Sequence, residues 1–174
     1  MNFEISHFIE ILSQTPATLK SLLGHLSDEL IYNSVAKNVW SPFDVVGHLI
    51  HADETNWIPR AEAVLANGAN VAFAPFDRFG QFEKFKNNSL AGLLEIFAAL
   101  RHKNIETIKS WNLTEEKLNL KGVHPEFGEI KLQQLLAAWM VHNLTHIRQI
   151  VTVIAKQQTE NVGAWKDYLA ILKS

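Results

Sequence analysis

The 174-residue sequence contains no cysteine. Disulfides, thiolate metal sites and cysteine nucleophiles are therefore excluded. It also lacks an excess of positive charge: 16 Lys and Arg against 18 Asp and Glu leave a net charge of -2 with histidine neutral. That balance argues against nucleic acid or an anionic membrane surface as partner, since both need a basic patch. No stretch reaches the roughly 20 consecutive apolar residues of a membrane span. The opening Met-Asn-Phe-Glu has neither a basic n-region nor a long apolar run. No signal peptide is expected, and a cytoplasmic location is. The strands needed for a sheet are missing as well.

What remains is ordinary globular composition, 47% hydrophobic and 20% charged, at a length that suits one domain over 1–174 with a sizeable core. Apolar residues recur at the three- and four-residue steps of helices. Residues 2–14 read as a short helix. Thr15-Pro16 reads as a restart, with Thr as N-cap and Pro at the first helical position, followed by Leu19, Leu22, Leu23 and Leu26. Ser27 to Leu30 is a turn of helix, and 33–39 a connecting loop. Ser41-Pro42 repeats the start signal ahead of a long second helix carrying Phe43, Val46, Leu49, Ile50, Trp57, Ala61 and Val64. Pro59 must kink or split that helix, and Gly68 to Asn70 ends it. Residues 71–88 form a long crossover connection, whose Phe73, Phe76, Phe79, Phe82 and Phe85 anchor it or roof a cavity. Ser89 caps a third helix that ends near Trp111. Thr114 to Lys117 is a helical turn, Gly122 to Glu129 a loop, and Leu132 to Ala155 the fourth helix. A short helix with Trp165, Tyr168, Leu169 and Leu172 closes the chain. The class is all-α, a four-helix bundle with a long crossover.

Eight histidines are many for this length, and two fall on the fourth helix at i and i+4. His142 and His146 share one face, at the flank of the apolar stripe. Two such imidazoles can chelate one metal ion if a third ligand comes from elsewhere. His48, one turn after the Ser41-Pro42 start, is the best candidate; His51 is its neighbour or a bystander. Three histidines on two helices leave coordination positions open, as catalytic sites do. The same residues can instead be hydrogen-bonded core histidines in a bundle without metal.

At these residues the sequence resembles the DinB/YfiT-like metalloenzymes, over nearly its whole length. The resemblance runs from Thr15-Pro16 through Trp40-Ser41-Pro42 into Gly47-His48-Leu49, then Asp53-Glu54 with Trp57 and Arg60, and Arg101. It continues through His124-Pro125-Glu126-Phe127-Gly128 to His142-Asn143-Leu144-Thr145-His146 and Arg148-Gln149-Ile150. It implies a four-helix bundle in up-down-down-up order, commonly a homodimer. It also implies a divalent metal, zinc or nickel, held by three histidines that carry over to His48, His142 and His146. Relatives include thiol-dependent S-transferases and isomerases that use low-molecular-weight thiols. One position departs from the pattern. Many relatives carry an acid directly after the first histidine of the pair, where this chain has Asn143. An amide does not titrate, so it cannot serve as a base, and at mid-stripe it must find a buried partner.

Two functions follow from the resemblance. One is an enzyme of hydrolase or thiol S-transferase type, in which the metal activates water or a small-molecule thiol as a Lewis acid toward a small-molecule substrate. Its catalytic candidates are Asp53, as a proton shuttle whose pKa burial would raise, and Arg101, as a bidentate partner for a substrate carboxylate. The plainer alternatives are a solvated carboxylate for Asp53, and a helix cap or surface ion pair for Arg101. Glu54 is expected to be exposed, His124 to be structural or to lie at a pocket rim, and Trp40 and Trp139 to be core aromatics near the site. The other function is a non-catalytic dimeric binding module with a structural or vestigial metal.

Overall fold

Ser41 opens the helix on which the rest is built. Its hydroxyl accepts from the Asp44 N–H at 3.2 Å, and the Asp44 carboxylate accepts from the Ser41 N–H at 2.9 Å. This reciprocal box satisfies two donors that a helix start leaves free, and Pro42 suits the first helical position. The computed structural model describes residues 3–67 and 71–173. In it this helix, α3, spans Pro42–Ala52 and passes through a π turn, Asp53–Trp57, into α4, Ile58–Asn67. The break expected from Pro59 is this π turn. Pro59 has no N–H to continue the α ladder, and the chain takes the wider turn immediately before it. The expected end at Gly68 to Asn70 lies outside the described residues.

Around it stand α1 (Ile5–Leu23), α2 (Asp28–Tyr32), α5 (Gly80–Phe85), α6 (Leu90–Ser110), α7 (Glu115–Leu118) and α8 (Leu132–Lys156). Ser89 caps α6 by accepting from the Gly92 N–H at 3.2 Å, and Thr114 caps α7. The restart expected at Thr15-Pro16 does not occur: α1 runs unbroken through Pro16. Thr15 turns its hydroxyl back onto the Ile11 carbonyl at 2.8 Å instead of capping a new helix. Pro16 leaves the Leu12 carbonyl without its helical donor, and a side chain from α6 replaces that donor.

Packing fixes the order of the bundle. At one end Phe8 and Leu12 of α1, Trp57, Ala61 and Val64, Ile105 and Ile108 of α6, and Leu132 and Leu136 of α8 share a core. At the other end Leu19 and Leu23, Val45 and Val46, Leu93 and Phe97, and Ile150 share a second. Thus α1 and α8 run one way while α3–α4 and α6 run the other, an up-down-down-up four-helix bundle. The connection 71–88 must therefore return along the bundle before α6 begins, and it holds α5 on the way.

A small sheet corrects the expectation of a loop at 122–129. Strand β1 (Lys121–His124) pairs antiparallel with β2 (Gly128–Lys131). Pro125, Glu126 and Phe127 make the turn, and Gly128 takes φ +69° where a three-residue hairpin loop needs the left-handed region. Val71 and Phe73 pair with Val123 on the other edge of β1, at 2.7 and 2.9 Å. Gly122 permits this, because a Cβ there would meet Phe73 and Val64 at 2.8 Å. Four-residue strands without alternating polarity carry no sequence signal. The terminal helix is likewise corrected to two 3-10 turns, Gly163–Asp167 and Ala170–Leu172. Among the described residues no helix is long and apolar enough to cross a membrane.

Replacing Ser41 by Ala removes the acceptor for the Asp44 N–H. Urea unfolding is expected to show a loss of about 1 kcal/mol, the usual cost of such a cap.

Candidate metal centre

His48 projects inward from the second turn of α3 and is 4% exposed. His142 and His146 project from successive turns of α8. The His142 Nε2 lies 3.2 Å from the His48 Nε2 and 3.0 Å from the His146 Nε2, and the three ligand atoms fall within 4.8 Å of one another. His146 Nδ1 lies 2.7 Å from Gln149 Oε1, an oxygen that can only accept. Nδ1 therefore carries the proton, and the Nε2 lone pair turns toward the other two rings. Burial holds all three imidazoles neutral. It drives His48 down to about 3 and His142 to about 2, the repulsion that a protonated His146 would exert being the next cause in both, and it lowers His146 too. Three neutral nitrogens facing one point are a donor set for a divalent cation. The rings sit at the base of an open cavity of about 500 Å³.

Aromatic rings frame these nitrogens. Trp40 stacks over His146 at 6.4 Å and 11°, Phe76 meets the edge of His48 at 5.7 Å, and Trp57 meets His142 at 5.1 Å. The five phenylalanines of the connection divide their work. Phe73 and Phe85 are buried anchors, Phe76 roofs the cavity, and Phe79 and Phe82, largely exposed, lie against Trp40. Two cations, Arg60 and Arg78, line the wall. Arg60 is held firmly, donating to the Ala74 carbonyl at 2.8 Å with its guanidinium 5.0 Å above the Phe73 ring. His124 and Glu126 bring the hairpin to the rim. His51 faces away, toward the Asp77 carbonyl at 3.1 Å.

Asp53 and Arg101 lie beneath the rings, and neither lines the cavity. Asp53 is no solvated carboxylate, and Arg101 is not open to a substrate: each is 1% exposed. Arg101 donates to Asp53 through Nε at 2.8 Å and Nη2 at 3.1 Å, to Asn143 Oδ1 at 2.9 Å, and through Nη1 to the Leu12 carbonyl at 3.1 Å. That last bond is the donor which Pro16 cannot supply. Asp53 also accepts from Trp139 Nε1 at 2.9 Å and from Asn104 at 3.4 Å. Asn143 donates to the Trp139 carbonyl at 2.8 Å, so the amide at mid-stripe has both of its partners. Burial pushes the Asp53 carboxyl up, against the opposing pull of Arg101 and the Trp139 and Asn104 donors. Glu54, one residue on, pairs with Lys84 at the surface. Asn104 escaped the sequence reading, and Gln149 entered it only within a matched run and without a role, though each stands three residues beyond a candidate on the same helical face, Arg101 and His146 respectively.

A family model for the DinB superfamily matches residues 11–150.

The chain belongs to the DinB superfamily.

Among solved structures it is similar to YfiT from Bacillus subtilis, described as "a probable metal-dependent hydrolase with an unusual four-helix bundle topology". The two share 21% identity at a TM-score of 0.74, over 91% of this chain and 87% of that one. The likeness shows that this DinB superfamily member has the same bundle fold. No curated protein matches the chain.

Two predictions follow from the buried groups. The unfolded chain protonates its histidines near 6.5, whereas the folded metal-free protein resists until far lower. Stability is therefore full above pH 6.5 and falls with pH below it, by up to about 1.4 kcal/mol per pH unit for each ring. Urea midpoints between pH 7 and 4 will show the slope, and His48→Gln will flatten it. Replacing Asp53 by Ala leaves a buried guanidinium unpaired and is expected to cost about 3–5 kcal/mol. Asp53→Leu combined with Arg101→Met should cost less than the two single changes together.

Proposed function

We propose that the protein is a metal-dependent hydrolase acting on a small molecule that carries an anionic group. The observation that carries this reading is the convergence of three neutral Nε2 atoms at the base of a cavity whose wall holds Arg60 and Arg78. His48, His142 and His146 would hold the ion, and zinc suits a set of three imidazoles with open positions. The description of YfiT as a probable metal-dependent hydrolase supports the same reading.

A divalent ion there supplies Lewis acidity to a substrate oxygen and to water. The chain's own residues do the rest. Arg60, braced by Ala74 and Phe73, and Arg78 draw an anionic group to the wall and orient it. Trp40, Phe76 and Trp57 keep bulk water from the rings, which strengthens every charge interaction inside. Asp53 and Arg101 touch no substrate. They are positioning residues, holding Trp139 and Asn143 and hence the helical turns that carry His142 and His146.

One observation favours the alternative, a binding module with the same ion. Among the described residues the cavity lining contains a single carboxylate, Glu126, and it stands at the rim. Asn143, where many relatives have an acid, cannot take a proton. Turnover separates the two readings.

Metal analysis of untagged protein and its His142→Ala variant tests the site. About one divalent ion per chain is expected in the former and none in the latter. An unchanged protein that takes up no ion after reconstitution would sink the proposal. The zinc-loaded protein is then expected to hydrolyse carboxylate-bearing esters or amides, with Arg60→Ala raising KM more than it lowers kcat. Stoichiometric zinc without turnover across such a panel would favour the binding module.

A further inference from the structure

Gln81, the second residue of α5, stands in an unusual position. It is 2% exposed, and neither its Oε1 nor its Nε2 has a hydrogen-bond partner or access to solvent. An amide in that state loses its hydration without compensation. His48 Nδ1 is in the same state. The two groups are neighbours. α5 packs on α3, and a Cβ placed on Gly47, the residue before His48, would stand 3.6 Å from Gln81 Cβ. His146 shows what the completed contact looks like, with Gln149 Oε1 2.7 Å from its Nδ1.

We infer that Gln81 is the positioning residue for His48, its Oε1 accepting the Nδ1–H and so directing the Nε2 lone pair to the point shared with His142 and His146. This rests on the metal reading above. A carboxamide in this place fixes the tautomer and ring orientation without adding negative charge, so the ion keeps its full Lewis acidity. The crossover connection then has a role that its length does not reveal: α5 carries the group that aims one of the three ligands, and seating α5 becomes coupled to loading the ion.

Zinc affinity of the full-length protein, measured by competition with a chelator, tests the assignment. Gln81→Leu should weaken binding by roughly 10–100-fold, the usual effect of removing such a partner. Gln81→Glu, which keeps an acceptor, should restore most of it. A Gln81→Leu protein that binds zinc as tightly as the unchanged one overturns the inference and leaves the metal reading standing. An unchanged protein that takes up no zinc removes both. The unchanged zinc-loaded protein decides the matter even if the variants fail to fold. Long-range proton–nitrogen NMR should show His48 as the Nδ1–H tautomer with a slowly exchanging proton. The Nε2–H tautomer, or an Nδ1 proton that exchanges freely, overturns the assignment.

Discussion

Arg101 and Asp53 meet at the middle of the bundle, each almost wholly out of water, and the packing on both sides depends on their meeting. A buried charge is tolerable only when paired and hydrogen-bonded. Here the guanidinium gives two bonds to the carboxylate, one to Asn143 and one to the Leu12 carbonyl. Those bonds join α1, the π turn, α6 and α8, which makes the pair a junction for all four long helices. The two hydrophobic clusters lie above and below this polar layer.

The three-histidine cluster inherits its geometry from that junction. Trp139 donates to Asp53, and Asn143 is bonded to Arg101 and to the Trp139 carbonyl. His142 stands beside Asn143, and His146 one turn further on. The rotation of α8 about its axis is thereby set by polar bonds as well as by apolar contact. The opposing wall is set by α3, whose start is capped at Ser41 and whose far end passes into the π turn. Pro16 has a part as well, because the carbonyl it leaves free is one that Arg101 needs to satisfy its own donors.

Much of this was legible in the sequence. The four amphipathic stripes and the caps at Ser41 and Ser89 announce themselves through local chemistry that tertiary contacts do not reverse. The histidine pair on α8 has a spacing that any helix turns into a shared face. Pro16 misled, because a proline after threonine looks like a helix start, and only the donor from α6 makes it tolerable inside one. The hairpin was invisible, since Lys-Gly-Val-His and Gly-Glu-Ile-Lys are too short and too polar to show a period of two. Asp53 and Arg101 had candidate roles at a substrate, and burial together withdrew them from it.

The sequence by itself determined the apolar faces of the four long helices, the absence of cysteine side-chain chemistry and the shared face of His142 and His146. These follow from steric and hydrogen-bonding preferences that act over a few residues. Only the tertiary structure decided that His48 meets that pair, that Asp53 faces Arg101 and not water, and that Gln81 is buried on α5 beside the turn that carries His48. Each of these joins residues distant along the chain. Which side chains meet across a bundle depends on the rotation and register of whole helices, and no local pattern encodes either.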